Sequence, residues 1–125
     1  MDRVLAIDDE KAILDMLKRA LTLFGFHVEV ASSGEEGIEK FDNESFEVVV
    51  TDILMPGIDG VSVLNYIRKS NRSGTPVIGI SGTPWLLQNQ GFDLILDKPF
   101  SIKSLVDSVK RFTEKKAAPE VSKAN

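Results

Sequence analysis

The stretch "EVVVTDILMPGIDG" at 47–60 carries a run of β-branched residues into Asp52, then a Pro-Gly pair, then Asp59. The run at 47–51 does not alternate between apolar and polar, which is the pattern of a parallel strand covered on both faces. Pro56 and Gly57 fit a tight turn, and Asp59 is placed to cap a following helix. Val61, Leu64 and Ile67 give that helix an inward stripe until "RKSNRSG" breaks it. Strand, reactive side chain, turn, helix: this order decides the fold if it recurs.

It does recur. Apolar runs of the same kind lie at 3–7 ("RVLAI"), 27–31 ("HVEVA"), 76–80 ("PVIGI") and 93–97 ("DLILD"). After the first, Ile13, Met16, Leu17, Ala20, Leu21 and Phe24 recur at three- and four-residue spacing, and Gly25 supplies a stop. After the second, Ser33 and Glu36 have capping-box spacing, and Ile38 and Phe41 form a short stripe. A last helix begins near Ser101 and carries Ile102, Leu105, Val109 and Phe112 on one face. Strands alternating with helices predict an α/β domain, because parallel neighbours need crossovers, and right-handed crossovers put helices on both faces of the sheet.

The chain has 125 residues, enough for one domain with a single core. A net charge of −4 argues against a nucleic-acid-binding face, because phosphate backbones reward Lys and Arg clusters that this chain lacks. With no cysteine, disulfides, thiolate metal sites and cysteine nucleophiles are excluded together. "MDRVLAIDDE" offers no signal-peptide core and no run is long enough to span a bilayer, so a cytoplasmic protein is expected. The domain is expected to occupy 1–115. The segment 116–125 is expected to be a fraying tail or the start of a linker.

Ligands of open parallel sheets gather beyond the carboxyl ends of the strands. There the first strand offers Asp8 and Asp9, the third Asp52, the fourth Ser81 and the fifth Lys98. Each alone has an ordinary reading: Asp9 as a helix cap, Ser81 as a turn residue, Lys98 as a solvated lysine before a proline. Together they converge on one edge. Adjacent carboxylates repel by about 4 kcal/mol per pair at about 4 Å and an effective dielectric near 20, so the cluster needs protons, a cation or both. Oxygen-only ligands suit a hard cation such as Mg²⁺. An aspartate there can act as a nucleophile toward phosphorus while metal and lysine offset the charge of the group in transfer.

With "AIDDE" at 6–10, "VVTDILMPGIDG" at 49–60, "GISG" at 79–82 and "DKPF" at 97–100 in that order, the chain resembles the receiver domain of two-component response regulators. The resemblance implies a flavodoxin-like, doubly wound five-stranded parallel sheet of order 2-1-3-4-5. It makes Asp52 the phosphoacceptor, with Asp8, Asp9, Asp52 and the backbone carbonyl of Leu54 holding Mg²⁺. Ser81 would hydrogen-bond the phosphoryl group, Lys98 would contact it, and the Lys98–Pro99 peptide would be cis. The donor would be a phosphohistidine on a histidine kinase or phosphotransfer protein. The domain would be no enzyme beyond its own phosphorylation and dephosphorylation, and would act by changing protein contacts. His27, the only histidine, reads as a surface residue of an outer strand.

Two departures stand out. Where the family commonly carries Tyr or Phe as a switch aromatic, three residues before the lysine, this chain has Ile95. And only 16 residues separate Ser81 from Lys98. With Thr83 as cap, Pro84 at the first helical position and Gly91 as terminator, a shortened fourth helix of one to two turns is expected. The dimerisation and signalling face that receivers often build around this helix is then altered. Trp85 is expected to plug the core beneath the stub, with exposure as a partner-binding anchor the alternative.

Other functions fit less well. A degenerate receiver acting only as a binding module conflicts with the intact polar set. A phosphatase of the aspartate-nucleophile type resembles a pattern with a second acid where Leu54 sits. A flavodoxin-like flavin carrier would meet repulsion between its flavin phosphate and "DDEKA".

Overall fold

The computed structural model describes residues 2–88 and 90–114, so the expected tail at 116–125 lies outside the described residues. In chain order the elements are β1 (Arg3–Ile7), α1 (Lys11–Leu23), β2 (His27–Ala31), α2 (Gly34–Asn43), β3 (Val48–Asp52), α3 (Gly60–Arg68), β4 (Val77–Ser81), a 3₁₀ turn (Pro84–Leu87), β5 (Leu94–Asp97) and α4 (Ile102–Thr113). The sheet order is β2-β1-β3-β4-β5, with every pairing parallel, as the resemblance implied. Among the described residues no helix is long and apolar enough to cross a membrane.

The non-alternating runs are explained by burial on both faces. Val4 and Ala6 of β1 join the core beneath α1 and α4, while Leu5 and Ile7 join the core beneath α2 and α3. The central strands have no exposed side, so their positions are apolar or small except for Arg3 at the start of β1 and Thr51 and Asp52 at the carboxyl end of β3. Local signals set most helix ends. Gly25, at φ +94°, ends α1 in the left-handed region. Ser33 Oγ accepts from the Glu36 amide, and the Glu36 carboxylate accepts from the Ser32 amide, one residue earlier than a strict capping box. Asp59 caps α3 by accepting from the Ser62 amide at 2.9 Å, and Ser101 caps α4 through the Ser104 amide.

Some details differ from the sequence expectation. Asp52 and Ser81 are the last residues of β3 and β4 rather than the first beyond them. In α3 the buried positions are Val63, Leu64 and Ile67, with Val61 only half-buried. In α1 and α4, Leu14 and Val106 are buried while Phe24 and Ile102 are exposed. In these helices most of the expected stripe is buried, and the buried face extends to one neighbouring position each, at Leu14, Val63 and Val106.

The crossover from β4 to β5 carries the expected stub at the short end of its range, about one turn. It is a four-residue 3₁₀ turn with Pro84 in its first turn. At about three residues per turn, positions three apart share a face, so Leu87 is buried beneath half-buried Pro84. Trp85 (63% exposed) and Leu86 point outward. The expected core role of Trp85 is therefore corrected: one turn has one inward position, and Leu87 holds it. Phe92 packs against the core on this side, its ring 3.1 Å from where a Gly79 Cβ would stand. The space exists only because β4 has a glycine there.

Candidate functional site

Four side chains, those of Asp8, Asp9, Asp52 and Lys98, meet at the carboxyl edge of the sheet, and Ser81 ends the strand that lies between β3 and β5. β1 runs into Asp8, which is fully buried, and then Asp9, which is exposed. β3 ends on Asp52 (4% exposed), β4 ends on Ser81 (7% exposed), and Lys98 follows β5. The backbone holds these ends in register: the Asp8 amide donates to Ala31 of β2 at 3.1 Å, and the Lys98 amide donates to Ser81 of β4 at 3.0 Å. The Lys98–Pro99 peptide is cis.

Asp52 is held from behind by neighbours that the sequence reading passed over. The buried Thr51 hydroxyl donates to the Asp52 carbonyl oxygen at 2.9 Å. The Gly60 amide donates to Ile53 at 2.9 Å, and a Cβ on Gly60 would collide with that same Asp52 carbonyl. The N-terminus of α3 can sit against the end of β3 only because residue 60 is glycine. Its signal in the sequence is the glycine immediately after the capping Asp59.

One carboxylate oxygen from each of Asp8, Asp9 and Asp52 lies within 4.8 Å of the others, the one such cluster among the described residues. Lys98 Nζ is 3.1 Å from Asp52 Oδ1. Burial is the main reason that the Asp8 carboxyl is pushed up to about 6; the hydrogen bond from the Glu10 amide pulls the other way, as does Lys98, while Asp52 and Asp9 add to the rise. Burial alone would lower the Lys98 ammonium, but the hydrogen bond to Asp52 and the charges of Asp52, Asp8 and Glu10 outweigh it and raise it. Asp8 Oδ2 is buried and has no hydrogen-bond partner among the described residues. An orphaned carboxylate oxygen inside an all-oxygen cluster fits a hard cation, which would satisfy it and offset the repulsion.

Ser81 Oγ accepts from the Thr83 amide at 2.9 Å and stands 3.4 Å from the Thr83 hydroxyl. Thr83, expected as a helix cap, makes no side-chain cap bond. Leu54 lies two residues beyond β3 with its side chain 83% exposed. Ile95 pairs with Gly79 across β4 and β5 and is half-buried. His27 begins the edge strand β2, at the opposite end of the sheet from the cluster, where its ring is 2.9 Å from the Glu29 carboxylate. Beside Lys98, an apolar groove of about 420 Å³ is lined by Glu10, Ile13, Met16, Pro99 and Phe100.

Comparison with known proteins gives a consistent picture. A family model described as "Response regulator receiver domain" matches residues 4–110. The transcriptional regulatory protein TrcR of Mycobacterium tuberculosis is 38% identical over 109 residues, covering 83% of this chain and 42% of TrcR. The chain spans about half the length of the curated relatives it matches. The crystal structure of a response regulator receiver domain protein from Clostridium thermocellum matches with a TM-score of 0.85 at 31% identity, covering 94% of this chain and 98% of that one. The response regulator TrrA of Thermotoga maritima, solved in complex with Mg(2+)-BeF, matches with a TM-score of 0.82 at 31% identity, over 90% and 99% of the two chains. With these matches and the strand-end cluster, the chain belongs to the response regulator receiver domains of two-component systems, a family whose general function is to accept a phosphoryl group.

Proposed function

We propose that Asp52 is the phosphoacceptor of this receiver, that Asp8, Asp9, Asp52 and the Leu54 carbonyl hold Mg²⁺, and that Ser81 and Lys98 contact the transferred group. The observation that carries this reading is the three-carboxylate cluster with its unpartnered Asp8 Oδ2 and with Lys98 at 3.1 Å from Asp52. Receiver domains interact with histidine kinases or phosphotransfer proteins, so the donor proposed here is a phosphohistidine on such a partner.

In the transfer, an Asp52 carboxylate oxygen forms the new O–P bond as the P–N bond to the donor imidazole breaks. The electron pair leaves with the imidazole nitrogen. When bound, Mg²⁺ would neutralise charge on the phosphoryl oxygens. Lys98 supplies a fixed cation on the Asp52 side, and the Ser81 hydroxyl can donate to the transferred group while its oxygen still accepts from the Thr83 amide. The domain acts on no outside substrate in this reading. It works in the cytoplasm by altering contacts with a protein target.

The test is incubation with phosphoramidate and Mg²⁺, followed by measurement of acid-labile phosphate. Uptake by the natural chain and its loss in Asp52→Asn are expected. Equal uptake by both would place the phosphoryl group elsewhere. No uptake by either would leave the binding-module reading.

A further inference from the structure

The metal ligands proposed above come from two stretches of chain: Asp8 and Asp9 after β1, and Asp52 with the Leu54 carbonyl at the end of β3. Asp8 is held by the sheet, since it is fully buried and its amide donates to Ala31 of β2. Leu54 has less support of its own. It lies beyond β3, its side chain is 83% exposed, and the carbonyl before it, that of Ile53, already accepts from the Gly60 amide.

The support comes from α2. Its first residue, Gly34, lies so close to the loop between β3 and α3 that a Cβ there would collide with the Ile58 carbonyl oxygen and stand 2.8 Å from the Ile58 Cβ. The next residue repeats the contact: a Cβ on Gly57 would stand 2.7 Å from Glu35 Oε2. One turn further along α2, a Cβ on Gly37 would collide with the side chain of Ile7, the residue before Asp8. One helix thus touches β1 next to Asp8 and the loop four residues after Leu54. Ile58 packs against the core cluster that contains Ile7 and Met55, so these contacts form one continuous body. A close-packed interior passes a displacement on instead of absorbing it.

We propose that α2 is the brace that sets the Leu54 carbonyl relative to the carboxylates after β1, with Gly34 a positioning residue for the metal. This rests on the Mg²⁺ reading above, and the unpartnered, buried Asp8 Oδ2 is the sign that a cation is wanted there. A methyl at position 34 would press on the backbone of Ile58, which cannot swing aside as the end of a side chain can, so the loop moves as a piece. Mg²⁺ demands near-ideal octahedral ligands at about 2.0–2.1 Å, whereas Ca²⁺ accepts irregular oxygen sets at about 2.3–2.6 Å. A displaced carbonyl therefore costs Mg²⁺ more than Ca²⁺. General loosening of the fold would cost both alike.

The test is a pair of titrations, with Mg²⁺ and with Ca²⁺, followed by amide NMR shifts well below the thermal midpoint. Four chains are compared: the natural chain, Gly34→Ala, Gly74→Ala and Leu21→Ala. A Cβ at position 74 meets nothing within 4 Å, and Leu21 is buried in the core on the other face of the sheet. Gly34→Ala is expected to weaken Mg²⁺ on the order of 10-fold, the loss typical when support behind a ligand is removed. Its Ca²⁺ affinity is expected to fall less, so that the Mg²⁺ to Ca²⁺ ratio drops. Gly74→Ala and the destabilised Leu21→Ala are expected to keep the natural ratio.

Ile58→Ala loosens the same contact from the loop side and decides the matter if Gly34→Ala does not fold; the same drop in ratio is expected of it. Unchanged Mg²⁺ affinity in the folded variant, equal losses for the two ions, or the same drop in Leu21→Ala each overturns the proposal. Absence of Mg²⁺ binding by the natural chain overturns the metal reading and this inference with it, an outcome recognised from that chain alone.

Discussion

Lys98 Nζ stands 3.1 Å from Asp52 Oδ1, joining the residue after β5 to the last residue of β3 across the intervening end of β4. The ammonium is about a third exposed while the carboxylate is almost wholly buried. Lys98 is thus the protein's own counter-charge for Asp52 and would compete with a cation for the same cluster.

Lys98→Ala therefore has two expected effects of opposite sign. Phosphoryl uptake slows, on the order of 10²-fold, as when one charge-stabilising donor is removed. Mg²⁺ binding tightens, because one repelling charge has gone. Labelling kinetics and a Mg²⁺ titration followed by NMR measure both. Weaker Mg²⁺ binding in the variant would contradict the competition.

Asp8 gives a pH dependence whose sign follows from its carboxyl being pushed up to about 6, chiefly by burial. The folded state holds this proton more tightly than the unfolded chain, which titrates near 3.8. Stability from this group is therefore lost as pH rises from about 3.8 to about 6, and regained on acidification. Without metal, the thermal midpoint is expected to gain on the order of 1 kcal/mol of stability from Asp8 between pH 7 and pH 5, after allowance for solvent screening. Saturating Mg²⁺ reverses the trend, since the cation binds the deprotonated form. Asp8→Asn flattens the metal-free dependence; an unchanged slope would assign it to another group.

Gly60→Ala drives a methyl into the Asp52 carbonyl and Ile53, whereas Gly82→Ala meets nothing within 4 Å. The first is expected to cost about 1–3 kcal/mol in urea unfolding. The second is expected to stay within about 0.5 kcal/mol. Similar costs at both positions would mean that the closeness of α3 to β3 is not what requires glycine at 60.

Trp85 and Leu87 are two residues apart and face opposite ways. Trp85→Ala is expected to change stability by less than about 0.5 kcal/mol, and Leu87→Ala to cost about 2 kcal/mol. Iodide is expected to quench Trp85 strongly in the natural chain. Weak quenching would return the indole to the core.

Much of the fold and the site was legible because their signals are local. A strand buried on both faces must be apolar throughout, so the five runs stand out without alternation. Asp8, Asp9, Asp52, Ser81 and Lys98 were legible because the carboxyl ends of parallel strands share one edge, so position after a run translates into position in space. Asp59 could be assigned as a cap because a cap acts within three residues, and the start of the last helix could be placed near Ser101, which the structure shows to be its cap.

Features that depend on what packs against what were not legible. Gly60 reads as an ordinary helix-start residue until the Asp52 carbonyl is found against it, and Thr51 as one more strand residue until its hydroxyl is seen to donate there. Thr83 looks like a cap because of its residue type, yet its amide serves Ser81 instead. Hydrophobicity placed Trp85 inside; a single 3₁₀ turn has room for one inward side chain, and the smaller Leu87 takes it while Phe92 fills the space over Gly79. The sequence by itself determined the strands, their edge and the charges gathered there, because hydrophobic periodicity and chain order need no partner. Only the tertiary structure decided which side chains of the short crossover face the core, because that depends on the space left by neighbours distant in the chain.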